Sequence, residues 1–298
     1  MQYILGIETS CDETAAAIVT GDQKILSNII ASQMDIHAQF GGVVPEIASR
    51  NHIQIIDKVV QQALDAAKIT AKQLTAIAAT VAPGLPGAVM VGRIFGESLA
   101  TALGIPFIPV NHIHGHIAST FCHQDHLALV VSGGHTAIYS VKGKTITLLE
   151  STLDDAVGEA FDKVARVLGL GYPGGPKIEQ LAALYRGDSV TFVKNPNFHK
   201  HGFSYSGLKT AVINYREKMD IPKICYSFQL EAFNQIIYKL RKYKPKVLCV
   251  SGGVSINKAL RELLAREFPD VRFPAVELCG DNAAMIAAAA IQFRFDKF

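Results

Sequence analysis

YILGIETSCDETAAAIV (residues 3–19) places an apolar, β-branched run before a tight turn of small and polar residues, and then resumes as a second apolar run. That is the pattern of a β-hairpin. The pattern returns at LALVVSGGHTAIYSV (127–141). A third junction, KVLCVSGGVSINKAL (246–260), again sets a strand before a glycine turn but continues as a helix from about Ser255. Two hairpin starts, one at the N-terminus and one near the middle, predict a duplicated fold with two lobes. Between them, LTAIAATVAPGLPGAVMVGRIFGESLATALGIPFIPVNHIHGHIAS reads as a strand to Val81, a Pro/Gly turn, a helix from about Ala88 to Leu103, a strand over 105–110 and a further helix. DDAVGEAFDKVARVLGL is amphipathic and ends at Gly169 and Gly171, whereas residues 187–206 carry neither period and read as a loop. Strands alternate with helices along most of the chain, so the class is α/β.

Composition sets the outer bounds. The 298 residues are 49% apolar and 18% charged, a balance that folds around a sizeable core and excludes disorder. The net charge of +3 confines any nucleic-acid surface to a local patch. The five cysteines form no Cys-x-x-Cys pair and are odd in number, which argues against a disulfide framework or a zinc knuckle and for a reducing compartment. MQYILGIETS lacks the basic start of a signal peptide, and AAMIAAAAIQF is too short to span a bilayer. A cytoplasmic protein with no membrane attachment is expected.

Several stretches can carry chemistry. In VNHIHGHIAS, His112 and His116 stand four apart, so on a helix they share one face and can bind one metal ion, while His114 points elsewhere. The competing reading is an exposed helix start that happens to be rich in histidine. The Glu of His-Glu-x-x-His is missing, and with it the general base of a zinc protease. A third ligand is on offer at Asp281 in ELCGDNAAMIAAAA, although Asp at the start of an apolar helix is also an ideal N-cap, and one carboxylate does not cap and ligate equally well. The turns at Gly133–Gly134 and Gly252–Gly253 suit phosphate, since backbone N–H groups can approach an anion there. Glu8, Asp12 and Glu13 could hold Mg(2+) beside phosphates or be solvated turn residues. Asp162 could accept from a ribose hydroxyl or from neighbouring backbone. KNPNFHKHGFSYSGLKTAV interleaves Lys194, His199, Lys200, His201 and Lys209 with Phe198, Phe203 and Tyr205, a mixture able to grip phosphates and stack bases, or simply to be a solvated loop.

Taken together, GIETSCDET, HAQFGGVVPEIASRNH, APGLPGAVMVG, VNHIHGH, VSGGHT, GEAFDKVARVLGLGYPGGP, FSYSGLKTA, SGGVSIN and CGDNAAMIA resemble the tRNA adenosine N(6)-threonylcarbamoyltransferase family of the bacterial TsaD type, from residue 3 to about 290. The resemblance implies the two-lobed actin/Hsp70/sugar-kinase-like fold with an interlobe cleft, with one lobe over 1–113 plus 275–298 and the other over 114–274. It implies transfer of a threonylcarbamoyl group from threonylcarbamoyl-AMP to the N(6) amine of the adenosine just 3′ of the anticodon, with release of AMP. By position, His112, His116 and Asp281 match the ligands of one Fe(2+) or Zn(2+). Val130, Val131, Ser132, Gly133, Gly134, Asp162, Gly175 and Asn257 match residues that hold the substrate, and Glu179 stands where many members have Asp. Asp12 and Glu13 remain catalytic or phosphate/Mg(2+) candidates, and Lys194, Lys200 and Lys209 are candidates for tRNA contact. Implied partners are tRNA, a TsaB-like paralogue, a TsaE-like ATPase and a TsaC-type enzyme that makes the donor.

The sequence departs from the family in lacking the tail many bacterial members carry beyond FRFDKF and in reading CGDNAA for Cys-Thr-Asp-Asn-Gly. These departures touch tRNA contact and assembly rather than the active centre. The rival readings are a metallo-endopeptidase for glycoproteins, against which the missing Glu argues, an actin-like kinase, and a non-catalytic nucleotide-binding platform, against which the His pair argues.

Overall fold

The five strands of the first sheet run in the order β3-β2-β1-β4-β5, and those of the second in the order β8-β7-β6-β9-β10. The strands are β1 (Tyr3–Glu8), β2 (Glu13–Thr20), β3 (Ile25–Ser32), β4 (Ala76–Ala82), β5 (Phe107–Asn111), β6 (His126–Val131), β7 (Thr136–Lys142), β8 (Thr145–Ser151), β9 (Leu248–Ser251) and β10 (Val271–Arg272). The helices are α1 (Met34–Ala38), α2 (Pro45–Ala67), α3 (Pro86–Leu103), α4 (His112–Ala118), α5 (Val157–Val167), α6 (Gly174–Ala182), α7 (Ser206–Tyr215), α8 (Ile221–Tyr243), α9 (Lys258–Glu267) and α10 (Ala283–Ala289). This computed structural model describes residues 1–193 and 201–294. In both sheets three strands pair antiparallel and the next two add in parallel: β1 pairs β2 and β4 as β6 pairs β7 and β9. The two hairpins read in the sequence thus open two copies of one topology, and the α/β class holds.

Two compact units result, Met1–His123 with Pro274–Phe298, and Gln124–Phe273. The expected division at 113/114 is corrected to 123/124, because α4 packs on α10 and belongs whole to the first unit. The second boundary falls at 273/274, one residue before the expected one. Two starts also move. The helix expected from about Ala88 begins at Pro86, whose ring suits a first turn that needs no N–H. The helix expected from about Ser255 begins at Lys258, after a 3-10 turn over Gly253–Ile256, with Asn257 as its cap.

In the first unit successive residues of β1 go to opposite faces, as the period of two demands. Leu5 and Ile7 pack with Ile56, Val59 and Leu64 of α2. Ile4 packs on the other face with Ala15, Ala17 and the alanines of α10. Small side chains on both surfaces bring α10 onto the sheet, and at Gly6 any Cβ would run into the carbonyl oxygen of Ala283. This close approach sets the start of α10 against β1.

In the second unit Phe161 packs edge-on against Phe228 and stacks on Phe233, with centroids 4.9 and 5.5 Å apart. Helix α8 also carries a polar stripe at i, i+4 spacing: Ser227, Glu231, Gln235, Lys239 and Tyr243. Ser227 accepts from Val190 N–H (3.0 Å), and Glu231 from Phe192 and Val193 N–H (2.8 and 3.0 Å). Gln235 both accepts from and donates to the backbone of Ser204, each at 2.9 Å. Lys239 and Tyr243 reach the buried Glu150, which also accepts from Gly202 N–H. The region 187–206, read as a loop, is in its described parts fastened to α8 by these backbone bonds.

Candidate metal centre

Strand β5 delivers Asn111, whose side chain accepts from Ile113 and His114 N–H (2.8 and 3.3 Å) and so starts α4. Helix α4 then turns His112 and His116 to one side, with ring centroids 4.7 Å apart. Gly115 lies between them, and a Cβ there would sit 2.7 Å from Ile286 Cδ1. Without that glycine, α4 could not lie so close to α10.

The close packing brings Asp281, just ahead of α10, to the histidines. Its Oδ1 is 3.2 Å from His116 Nε2 and 3.6 Å from His112 Nε2. The choice between cap and ligand for Asp281 is resolved by its neighbour: Asn282 caps α10 by accepting from Met285 N–H (3.0 Å). Asp281 is therefore released from capping. One donor atom from each of His112, His116 and Asp281 lies within 4.8 Å of the others.

Chemistry and burial fit a metal here. His116 is fully buried, and apart from the Asp281 carboxylate 3.2 Å from its Nε2 its ring nitrogens have no hydrogen-bond partner. A buried polar nitrogen without a well-formed partner costs about 1–3 kcal/mol, and coordination through Nε2 would remove that penalty at this nitrogen. Two imidazoles and one carboxylate suit iron or zinc, and three protein ligands leave positions for a substrate. His112 is pushed up to about 9: burial disfavours its charge, and the carboxylates of Asp281 and Glu8 outweigh that.

The turn between β1 and β2 supplies more acid. Burial, then the charges of Asp12 and Asp281, push Glu13 up to about 9, and its Oε1 accepts from Ser32 Oγ (3.1 Å). Mutual repulsion of this kind is what a bound cation relieves. The Cys11 thiol is also pushed up, by burial and then by Asp12 and Asp281. Sequence reasoning took Glu8 as one of a solvated or Mg(2+)-binding trio. Instead it is fully buried, with its Oε2 3.0 Å from His112 Nδ1.

In the second unit, Val130 and Val131 are buried in β6, and Val130 pairs with Ser251 of β9. The two glycine turns therefore leave the C-terminal ends of adjacent parallel strands, where α/β sheets commonly hold ligands. Gly252 has φ of +92°, and a Cβ there would strike Val131, so the turns lie against each other. Ser132 closes its own turn with His135, whereas a Cβ at Gly133 or Gly134 would meet nothing.

The remaining residues carried over by position have local partners. Asp162 Oδ1 accepts from Gly174 N–H (2.7 Å) at the start of α6, the backbone alternative raised from the sequence, and its carboxyl is pushed up by burial. Gly175 follows with open space on its Cβ side. Glu179 accepts from Lys258 N–H (2.7 Å) and helps line a cleft of about 570 Å³ with Tyr185, Arg186, Tyr226, Gln229 and Lys258. Asn257 is committed at both ends, to Leu260 N–H (3.1 Å) and to Gln229 Oε1 (2.8 Å). Lys209 lies half-buried on α7. Lys194 and Lys200, with Phe198 and His199, fall outside the described residues.

Comparison with known proteins adds the family. The model of TsaD, tRNA N6-adenosine threonylcarbamoyltransferase, matches residues 24–288. The chain belongs to this family. A tRNA N6-adenosine threonylcarbamoyltransferase of Clostridium perfringens is 49% identical, over 97% of this chain and 92% of its own length. One from Streptococcus pneumoniae is 44% identical over the same shares. Among solved structures, component A of Acidaminococcus fermentans (R)-2-hydroxyglutaryl-CoA dehydratase has a TM-score of 0.62 at 16% identity, covering 98% of both chains. The ROK hexokinase of Thermus thermophilus has a TM-score of 0.50 at 17% identity, covering 98% of this chain and 97% of its own. At these identities the likeness is one of fold, and the fold is the actin-like, sugar-kinase-like one. No helix among the described residues of this TsaD family member is long and apolar enough to cross a membrane.

Proposed function

We propose that the protein transfers the threonylcarbamoyl group of threonylcarbamoyl-AMP to N(6) of adenosine 37 in tRNAs reading codons that begin with A, releasing AMP. The observation that carries this reading is a His-His-Asp donor set, with both histidines buried, in a chain of the TsaD family. A hydrolytic reading fares worse, because HIHGH offers no Glu at the position that would activate water.

In the reaction the adenosine amine attacks the carbamoyl carbon, the bond from that carbon to the AMP phosphate oxygen breaks, and the amine gives up a proton. A metal held by His112, His116 and Asp281 supplies Lewis acidity, either iron or zinc on this donor set. The chain's own residues do the rest. The Ser132–Gly134 and Gly252–Gly253 turns present backbone N–H groups to the phosphate. Gly175 lets a ligand approach α6, while Glu179 and the cleft it lines take the nucleoside. Asp162 acts by holding the N-terminus of α6 through the Gly174 and Gly175 N–H groups, and a ribose hydroxyl is the ligand group assigned to it. Asp12 and Glu13 are the groups from which a proton acceptor would come, and Mg(2+) with a nucleotide is the other use for them.

Lys209, with Lys194 and Lys200, is assigned to tRNA. A TsaB-like paralogue, a TsaE-like ATPase and a TsaC-type enzyme acting upstream are the expected partners, in the cytoplasm. The test is mass spectrometry of nucleosides from an ANN-decoding tRNA incubated with the protein, threonine, ATP, bicarbonate and those partners. Threonylcarbamoyladenosine appears only when the protein is present. Metal-dependent cleavage of a glycoprotein, with the tRNA unmodified, would replace this reading by the peptidase one.

A further inference from the structure

Glu8 is an acidic side chain with no exposure, at the C-terminal end of a central strand, and one of its hydrogen-bond partners is His112. Its Oε1 accepts from Ser10 N–H (2.5 Å), and its Oε2 from Thr80 Oγ (2.6 Å). The same Oε2 lies 3.0 Å from His112 Nδ1. Strand β4 supplies Thr80 and β5 leads into His112, so three neighbouring strands converge on one carboxylate. A buried carboxylate is tolerated only when donors satisfy it, and here a backbone N–H, a hydroxyl and an imidazole do so.

We infer that Glu8 is the positioning residue of the metal centre: it accepts the Nδ1 proton of His112, fixes that tautomer and leaves Nε2 as the ligating nitrogen. The inference rests on the metal reading of His112, His116 and Asp281. An imidazole carries one proton when neutral, and whichever nitrogen holds it cannot ligate. A carboxylate on the far nitrogen both orients the ring and makes it a stronger donor. Ser10 Oγ is also near Nδ1, at 3.1 Å, but a neutral hydroxyl can donate as well as accept and so does not decide the tautomer. Glu8 touches no substrate in this role and acts through His112.

The test uses the full-length chain freed of metal with a chelator and titrated with Zn(2+) against a chromophoric competitor, with Co(2+) absorption as a reporter of ligand geometry. Glu8→Gln lowers Zn(2+) affinity by about 10–100-fold, the range for losing such an outer partner, and changes the Co(2+) spectrum. Ser10→Ala leaves both within about threefold of wild type. Glu8→Asp, which keeps the charge on a shorter arm, recovers part of the loss. Wild-type affinity and spectrum in a folded Glu8→Gln protein would overturn the inference while leaving the metal reading intact. Failure of the wild type itself to bind Zn(2+), Co(2+) or Fe(2+) would overturn both. If Glu8→Gln does not fold, Thr80→Val decides: removing one donor from Glu8 weakens Zn(2+) binding by a smaller factor if Glu8 acts on the metal through His112, and an unchanged affinity refutes it.

Discussion

The three histidines of HIHGH have different fates because a helix separates i+2 from i+4. His112 and His116 turn toward Asp281, while His114 packs edge-on to Phe293, with centroids 6.0 Å apart. On the proposed metal reading, His116→Ala removes a ligand and lowers Zn(2+) affinity by more than the about 10–100-fold expected for an outer partner. His114→Ala leaves affinity unchanged and costs about 1 kcal/mol of stability, read by denaturant titration. Equal losses of metal from the two variants would contradict the assignment. The His pair was legible in the sequence because the spacing of four is itself geometric. Asp281 was only half legible, since Asp and Asn282 compete for one cap and the sequence does not say which wins. The role of Glu8 was illegible: it lies 104 positions from His112, and only the strand order β1-β4-β5 brings the two together.

Among the elements, the contact of α4 with α10 does most to build the site. Gly115→Ala inserts a methyl 2.7 Å from Ile286 Cδ1 and 3.2 Å from Met285 Cγ, both buried. Overpacking costs about 1–3 kcal/mol, and the better helix propensity of Ala returns somewhat under 1, so a net loss of up to about 2 kcal/mol is expected. The move of α10 relative to α4 also weakens Zn(2+) binding, and a variant with unchanged stability and affinity would contradict this packing account.

The stripe on α8 has a different signature. Glu150 faces Lys239, Lys242, His201, Tyr243 and the Gly202 N–H. Burial alone would raise its pKa, but the Gly202 bond, Tyr243, Lys239 and Lys242 together bring it below the usual 4.5. A carboxylate depressed in the folded state contributes stability above its unfolded pKa and loses it as pH falls through the folded one. The stability difference between wild type and Glu150→Gln therefore shrinks as pH falls below about 4.5. A difference independent of pH from 7 to 3 would refute the charged role. Polar residues at i, i+4 look like a solvated face in sequence, which is why this ladder was missed, whereas hairpins and amphipathic helices were read from their periods.

At the scale of the whole molecule, the duplication was visible because each copy begins with the same strand-turn-strand pattern, and the matching strand orders make it explicit. The boundary at 113 was misplaced because the sequence shows where α4 starts but not that it packs on α10, which is remote in the chain. The His-His-Asp set lies in the first unit and the glycine turns in the second. The measurement that tests the central claim most directly is the yield of threonylcarbamoyladenosine from an ANN-decoding tRNA, with the partners present, by metal-stripped protein before and after Fe(2+) or Zn(2+) is restored, beside His112→Ala. Yield that is lost on stripping, regained on metal return and absent from His112→Ala is the predicted result. Equal yields from stripped protein, restored protein and His112→Ala would contradict it.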